Sequence, residues 1–351
     1  MKKKIIAIIV AIVLIIPLSR GWYEFLLDNF SDAELASSTQ LKFEKISDTE
    51  VEVVGYDSYL HGSITIPEKI RIGLDIYKVT SIGSYAFEGC SSLTSIKIPE
   101  GVTSIGHSAF SRCNSLEPKL LVYDKGTKCY GWVGDKKKCT EVVIPKGVTS
   151  IGASAFSDCS NLTNIDIPEG VTSIGNRAFY GCSNLASIDI PEGVTSIGEY
   201  AFEGCSSLTS INIPESVTSI GGGAFYYCES LTSINIPEGV TNIGASAFRG
   251  CKSLKSINIP EGVTNIRASA FSECSNLTSI EIPKGVTSIG YGAFRGCSSL
   301  TSINIPEGVT SIGEWAFRYC SNLEIVIDNS ENNVKVQESA FKGCKSVKWL
   351  K

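Results

Sequence analysis

The stretch that decides the fold runs from Leu208 to Cys228 and reads LTSINIPESVTSIGGGAFYYC. It is one copy of a unit, LxxIxIPEGVTSIGxxAFxxCxx, that recurs from residue 81 to the carboxyl end. The phenylalanine of each Ala-Phe pair returns at intervals of 23 or 46 residues, and once after 24, at Phe87, Phe110, Phe156, Phe179, Phe202, Phe225, Phe248, Phe271, Phe294, Phe317 and Phe341. A fixed period in this range is typical of short units that stack into a solenoid.

Each half of the unit predicts a different piece of backbone. Ile211 and Ile213 have the two-residue spacing of strand side chains on one face, and Pro214 ends the strand because proline cannot donate to a ladder. The segment 217–220 predicts a second extended piece, and the glycine after it is expected to relax the backbone. The apolar residues of AFxxCxxL lie three or four apart, which predicts one helical or 3₁₀ turn with Phe and Cys facing inward.

The stacking requirement sets the expected fold class. One unit cannot bury its apolar residues alone, so each coil needs a neighbour on both sides. We therefore expect a strand-rich α/β repeat solenoid with short parallel strands and short helical or 3₁₀ turns. Its core ladders would be formed by Phe179, Phe202 and Phe225 and by Cys182, Cys205 and Cys228.

The ends and one internal unit depart from the pattern. Residues 48–80, where apolar and polar residues alternate, are predicted to form an amino-terminal cap, followed by the solenoid over 81–351. The unit at 117–144 is aberrant, with Val133 in place of the Phe, and we expect a hairpin there. Residues 327–351 lose the IPEG turn and predict a carboxyl-terminal cap, with Trp349 over the last coil.

Over about residues 48–351 this unit resembles the BspA-type, or Treponema-type, leucine-rich repeat. The better-known leucine-rich repeat has an asparagine a few residues after its LxxLxL strand, whereas this chain has Pro-Glu-Gly there, so an asparagine ladder is not expected. The resemblance implies a curved leucine-rich repeat solenoid in an exported surface protein. It also implies a family in which several members look like adhesins for host matrix or for other cells.

The amino terminus has the pattern of an export signal. Lys2, Lys3 and Lys4 precede an apolar run from Ile5 to Leu18. This run is about 21 Å long as a helix, shorter than the roughly 30 Å hydrocarbon core of a bilayer. Residues 1–20 are therefore predicted to be a signal peptide or an uncleaved signal anchor, and 21–47 a linker. We expect an extracellular or cell-surface protein that meets the membrane only through this segment.

Composition excludes several classes of function. The chain has 351 residues and a net charge of −5, which argues against nucleic acid as a partner because duplex binding needs a concentrated cationic face. It has only two histidines and no GxSxG, phosphate-loop or zinc signature. We therefore predict no enzyme activity, no cofactor and no metal site.

The cysteines predict free thiols rather than a chain of disulfides. Eleven of the 13 follow the repeat Phe by three residues. Equivalent residues on stacked coils lie about 5 Å apart with parallel Cβ vectors, whereas a disulfide needs its Cβ atoms about 3.8 Å apart. Cys129 and Cys139, in the aberrant unit, leave two interpretations open. They form a disulfide, or Cys139 fills the repeat Leu position and Cys129 is incidental.

Exposed residues of a solenoid line up in columns, and two columns are candidate binding surfaces. The first lies between the strand isoleucines and includes Asn212, Asn235 and Asn258, as either a ligand-binding strip or a solvated sheet face. The second column is formed by the residue after the repeat Phe, which is basic in several coils of the carboxyl-terminal half. This basic column either binds an acidic partner or only serves solubility. Its candidate residues, with neighbouring tyrosines typical of interfaces, are Arg249, Arg295, Arg318, Tyr226 and Tyr227.

The aberrant unit is a further candidate, because a break in a regular array can display a specific loop. Its candidate residues are Tyr130 and Trp132. Together these features predict an exported cell-surface binding or adhesion module that engages protein or glycan on host or neighbouring cells, without catalysis. The alternative is a structural envelope protein with no dedicated ligand.

Overall fold

The computed structural model describes residues 40–56 and 60–351. These residues form two compact units, one made of 40–56, 60–126 and 133–135, the other of 127–132 and 136–351. The predicted signal segment 1–20 and residues 21–39 of the predicted linker lie outside the described part. Within the described ranges, no helix has the length and apolarity that crossing a membrane requires.

The described chain consists of short strands joined by turns, with two 3₁₀ helices at Lys136–Lys138 and Glu331–Asn333. The strands before the aberrant unit are β1 (Leu41–Lys45), β2 (Glu50–Tyr56), β3 (Gly62–Thr65), β4 (Lys69–Ile72), β5 (Asp75–Ile82), β6 (Leu93–Lys97) and β7 (Ser104–Ile105). Those from the aberrant unit onward are β8 (Lys119–Tyr123), β9 (Lys128–Val133), β10 (Glu141–Val143), β11 (Ser150–Ile151), β12 (Asn164–Asp166), β13 (Ser173–Ile174), β14 (Ser196–Ile197), β15 (Ser219–Ile220), β16 (Asn242–Ile243), β17 (Ser256–Ile257), β18 (Asn265–Ile266), β19 (Ser279–Ile280), β20 (Ser288–Ile289), β21 (Ser302–Ile305), β22 (Ser311–Ile312), β23 (Glu324–Ile327), β24 (Lys335–Val336) and β25 (Ser346–Trp349).

The first unit begins with a mixed sheet. β1 runs antiparallel to β2, β2 runs parallel to β5, and β4 forms an antiparallel hairpin with β5. Val51 and Val53 of β2 are fully buried, as their alternation with polar residues predicts. β1 lies inside the predicted linker 21–47, so the ordered sheet starts before the predicted cap boundary at residue 48.

The second unit repeats two parallel ladders around each coil. The Ser-Ile strands pair at an offset of one coil, with Ser196 opposite Ser219 and Ile197 opposite Ile220. The LxxIxI segments form true strands at β17, β19, β21 and β23, but between 185 and 236 they make only single bridges, Asp189 to Asn212 and Asn212 to Asn235. The predicted two extended pieces per coil are present, and the Ser-Ile piece is the more regular over these central coils.

The Ala-Phe corner is a succession of reverse turns, which takes the place of the expected helical or 3₁₀ turn. Glu203 N donates to Tyr200 O at 3.1 Å, and Cys205 N donates to Phe202 O at 3.1 Å, the spacing of a 3₁₀ bond. However, Tyr200 and Gly204 adopt left-handed φ angles of 56° and 72°. A left-handed residue interrupts a right-handed helix, so each turn stands alone.

The repeat phenylalanines form a continuous stack in the core of the second unit. Phe179, Phe202 and Phe225 are fully buried, with neighbouring ring centroids 5.3 and 5.5 Å apart and ring planes within 6°. The main chain carries the same ladder, because Phe202 N donates to Ala224 O at 2.8 Å. Each ring therefore packs between two copies of itself, and the coil spacing is set by both contacts.

The repeat cysteines are free thiols, and most of them also donate a hydrogen bond to a main-chain carbonyl. The Sγ of Cys205 donates to Phe179 O at 3.2 Å, and the Sγ of Cys228 donates to Phe202 O at 3.1 Å. Cys182 makes the same bond to Phe156 O. Burial raises the pKa of Cys205 to about 12. These donating thiols thus tie their coils to the preceding ones, a role that their predicted behaviour as small hydrophobes does not include.

The open question about Cys129 and Cys139 is settled in favour of free thiols. Both are buried and neither forms a disulfide. β10 pairs with β12 at an offset of 23 residues, which places Cys139 in the repeat Leu position, equivalent to Leu162. The disulfide interpretation is therefore wrong for this structure.

The glycine after each Ser-Ile strand is needed for space rather than for backbone freedom. Gly198 does not adopt a positive φ. A Cβ atom built on it would lie 2.7 Å from the backbone N of Asn176 in the preceding coil. Arg267 occupies the same position in one coil.

Candidate functional site

The Ala-Phe corners carry the side chains that vary most between coils. In most corners, three positions reach the surface: the residue two before the repeat Phe, the residue after it, and the residue two after it. We call these positions, from residue 177 to residue 343, the corner face. Its aromatic and basic residues are Arg177, Tyr180, Tyr200, Tyr226, Tyr227, Arg249, Arg295, Trp315, Arg318, Tyr319 and Lys342.

Bulky residues occupy the two left-handed positions of this face. Several coils place Gly or Ser at these positions. Other coils place a large aromatic residue there with the same left-handed backbone: φ is 56° at Tyr200, 54° at Tyr227, 59° at Trp315 and 67° at Tyr319. A left-handed backbone brings Cβ close to the following carbonyl and costs roughly 1–2 kcal/mol for residues other than glycine. Strain held in this way is typical of sites where a side chain serves something other than the fold.

At Tyr200 and Tyr227, the next coil makes room for the ring with glycine. A Cβ atom on Gly223 would lie 2.4 Å from Cδ1 of Tyr200, and one on Gly250 would lie 2.2 Å from Cδ1 of Tyr227. Each tyrosine ring therefore lies across a glycine of the following coil. This packing holds the rings in place on the surface.

The first arginine cluster contains Tyr226, Tyr227, Arg249 and Glu273, and we call it the Tyr226 cluster. Arg249 Nη2 donates to Glu273 Oε1 at 3.0 Å, and its Cζ lies 5.4 Å from the centre of the Tyr226 ring. Burial has the largest single effect on the pKa of Arg249 and lowers it, but the Glu273 carboxylate together with Tyr226 and Tyr227 outweighs burial, so the pKa is raised. Burial, and then the hydrogen bond with Tyr227, raise the pKa of Tyr226. The positive charge of this cluster is neutralised within the protein.

The second cluster contains Arg295, Trp315, Arg318 and Tyr319 of the corner face together with the adjoining Tyr291, and we call it the Trp315 cluster. The Cζ of Arg318 lies 4.7 Å from the Trp315 ring centre and 4.6 Å from that of Tyr319. Arg295 lies at 5.9 and 5.7 Å from the same two rings. Tyr291 and Tyr319 are 45% and 53% exposed. Among the described residues, no carboxylate forms an ion pair with either arginine.

The arginines of both clusters keep donors unused. The Nε atoms of Arg249, Arg295 and Arg318 are buried and find no hydrogen-bond partner within the described residues. Buried polar atoms are nearly always hydrogen-bonded, so three unpaired Nε atoms on one face of the protein are unusual. The Trp315 cluster therefore combines unused donors with unpaired charge at an accessible surface.

The asparagine column occupies a different face of the coil. Asn212 and Asn235 are exposed and, with Asp189, Ser187, Ser210 and Ser233, line a shallow groove of about 300 Å³. Asn258 is also exposed but does not line this groove. The groove has the polar character expected from the sequence, without an aromatic side chain in its lining.

The aberrant unit does not display its aromatic residues on a loop. Residues 124–126 have positive φ angles and form a tight turn between β8 and β9, and Tyr130 and Trp132 lie half-buried in β9. Trp132 N donates to Ala155 O at 2.8 Å, the bond that the repeat Phe makes in regular coils. The unit thus continues the ladder.

Sequence reasoning identified Arg249, Arg295, Arg318, Tyr226 and Tyr227, but it missed Trp315 and Tyr291. The signal was present, because Trp315 stands in a column that holds Gly or Ser in several other coils. Its meaning depends on the left-handed backbone, which the spacing alone does not reveal. In the described ranges, no group of three or more His, Cys, Asp or Glu side chains is arranged to hold a metal ion.

Successive coils share the same interior side chains and differ in their surface side chains, and this is the architecture of a leucine-rich repeat solenoid. The chain belongs to the family described as the BspA type leucine rich repeat region, whose model matches residues 62–121, 134–251 and 218–348 in 6 copies. No curated protein matches it significantly.

Several solved structures are similar to the chain. A leucine-rich repeat protein from Bacteroides ovatus is 27% identical, with a TM-score of 0.54 over 89% of this chain and 98% of that one. One from Eubacterium ventriosum is 22% identical, with a TM-score of 0.56 over 88% and 94%, and supports the fold alone. A leucine rich cell surface protein from Faecalibacterium prausnitzii is 29% identical, with a TM-score of 0.49 over 84% and 96%.

Proposed function

We propose that this chain is an exported cell-surface module that binds protein or glycan on host or neighbouring cells through its corner face, without catalysis. The observation that carries the proposal is the strained placement of Tyr200, Tyr227, Trp315 and Tyr319. The fold is served better by glycine at these positions, so the aromatic rings serve contact with a partner.

The composition of the corner face supports the same proposal. Tyrosine, tryptophan and arginine are the residues that dominate the energetics of protein interfaces. Rings that lie against the next coil lose little conformational entropy when a partner binds. Export rests on the amino-terminal pattern of Lys2 to Lys4 followed by the apolar run 5–18.

Attachment of the full chain to immobilised matrix proteins and to cells tests the proposal. We expect replacement of Arg249, Arg295, Arg318 and Tyr226 by Ser to weaken attachment by at least about tenfold, because hot-spot residues each contribute about 2 kcal/mol or more. Replacement of Asn212, Asn235 and Asn258 by Ser serves as the control on the other face. A Tyr130→Ser and Trp132→Ser variant tests the aberrant unit.

The outcomes separate the two candidate functions. If the chain attaches and only the corner-face variant fails, the binding module is supported. If the wild-type chain attaches to none of these surfaces, or if no variant changes attachment, the corner face has no partner there. The structural envelope role would then replace the present proposal.

A further inference from the structure

We propose that the Trp315 cluster is a subsite for an oxyanion carried on a sugar ring, and so that the ligand is an acidic polysaccharide. This inference rests on the proposed function, because it names the ligand class of part of the corner face. Four observations lead to it: unpaired charge, the geometry of the arginines, the exposed rings and the backbone strain.

The charge of the cluster lacks the carboxylate partner that several other cations of the described chain have. Arg249 pairs with Glu273 at 3.0 Å, Lys252 with Glu229 at 2.8 Å and Lys345 with Glu324 at 2.7 Å. Arg295 and Arg318, on consecutive coils, have no such partner within the described residues, and each holds a buried Nε without an acceptor. An anion supplied from outside would pair with both guanidinium charges.

The geometry of the arginines favours a ligand with a discrete oxyanion group over one that offers only a diffuse negative charge. Contact with the Trp315 and Tyr319 rings holds the guanidinium of Arg318 at 4.7 and 4.6 Å from their centres. A guanidinium fixed in this way presents a rigid fork that matches the oxygens of a carboxylate or sulfate. The stacked Phe294 and Phe317 rings set the coil spacing at 5.2 Å, so two forks lie about one coil apart.

The exposed rings favour a sugar over a peptide as the molecule that carries the oxyanion. Tyr291 packs on Trp315 with centroids 5.2 Å apart, and Tyr291 and Tyr319 are among the most exposed large apolar side chains of the described residues. Such rings offer flat apolar faces for the C–H face of a sugar. An extended peptide repeats its side chains on one face about every 6.7 Å, so its carboxylates fall out of step with a 5.2 Å coil spacing.

The strain at Trp315 and Tyr319 indicates that the rings are kept for this contact. The preceding coil has Gly292 and Gly296 at the same two positions, where a left-handed φ carries no penalty. The same coil also provides the simplest test. Because glycine already fits these columns, Trp315→Gly and Tyr319→Gly remove the rings without threatening the fold.

Binding of the purified full chain to four polymers tests the inference: dextran sulfate, carboxymethyl dextran, neutral dextran and polyglutamate. We expect dextran sulfate or carboxymethyl dextran to bind at least about tenfold more tightly than neutral dextran and polyglutamate. The W315G/Y319G and R295Q/R318Q variants should each lose at least about tenfold, because hydrogen bonds to charged groups contribute about 1.5–3 kcal/mol. The R112Q/K146Q variant loses the same charge elsewhere and should stay within about twofold.

Several results would overturn the inference. Equal binding of polyglutamate would show that a carboxylate-bearing peptide suffices, and unchanged binding by W315G/Y319G would show that the rings play no part. An equal loss in R112Q/K146Q would show that net charge alone attracts the polymer. Cell attachment measured on the same preparations separates the two proposals. Attachment without polysaccharide binding overturns only the subsite, whereas loss of both overturns the binding module as well.

Discussion

The interior ladder and the corner face are built on the same coil and repeat with the same period, yet they follow different rules. Phe225 is fully buried between Phe202 and Phe248, while its neighbour Tyr226 reaches the surface. An interior side chain must fit the same side chain above and below, so any change disturbs two interfaces. A corner side chain meets water on one side, and the chain can place Tyr, Arg, Glu, Ser or Lys there. The chemistry that distinguishes one coil from another is therefore on the corner face.

The sharpest test of this comparison replaces adjacent residues, one from each region. Phe225→Ala should lower the free energy of unfolding by about 3–5 kcal/mol, because it removes a ring from the middle of a close-packed stack. Tyr226→Ala should lower it by about 1 kcal/mol or less. Urea unfolding of the full chain, followed by circular dichroism, measures both. Similar losses in the free energy of unfolding for the two variants would show that interior packing contributes no more to stability than the surface does.

Alkaline pH should act on the interior through its thiols. The folded pKa of Cys205 is raised to about 12, above the ordinary value near 9, because burial disfavours the thiolate. Because the folded pKa is raised, the contribution of the thiol to the free energy of unfolding is complete below pH 9. It declines between pH 9 and 12, because only the unfolded chain releases the thiol proton in that range. Each such thiol should remove about 1.4 kcal/mol of stability per pH unit in this window.

Comparison of Cys205→Val with the wild type isolates this effect from other groups that titrate above pH 9. The two free energies of unfolding, measured from pH 8 to 11, should converge as the pH rises, since the variant lacks one thiol. Tyr180→Phe, on the corner face beside Cys182, is the control for a phenol. Parallel curves for wild type and C205V would contradict the buried-thiol account.

The smallest effect concerns the left-handed positions, where the two regions meet. Tyr319→Gly should leave stability unchanged or raise it by about 1 kcal/mol, because glycine removes the strain at φ 67°. Gly296→Ala, at the equivalent position of the preceding coil, should lower stability by about 1 kcal/mol. Its Cβ would meet no atom closer than 3.7 Å, so the cost is that of the φ angle of 76° alone.

Thermal unfolding of the two variants side by side measures these opposite shifts. If Y319G were clearly destabilised, the ring would be serving the fold rather than a partner. The main argument for the corner face as a binding surface would then be lost.

Much of the fold could be predicted because its signals are local and repeated. The two-residue spacing of Ile211 and Ile213 and the three-residue step from Phe225 to Cys228 recur in every regular unit, and inward burial follows from each. The reverse turns at the corner could not be predicted, since the same spacing suits a helical turn. Nor could the space requirement at Gly198, because it arises from Asn176 in the preceding coil.

The candidate site was predicted in part for the same reason. Arg249, Arg295 and Arg318 stand out in a column, so their shared face follows from the period. That Glu273 neutralises Arg249 while Arg295 and Arg318 stay unpaired depends on contacts between coils. The pairing rests on a side chain 24 residues away in the next coil, at a position that is glycine in several other coils.

The sequence by itself determined the period, the interior side chains and the column in which each surface residue stands, because these depend only on spacing along one chain. Only the tertiary structure decided which backbone positions are left-handed, which thiol donates to which carbonyl, and which arginines keep an unused charge. Those properties arise where two coils meet, and the distance between coils is a result of packing that no single unit contains.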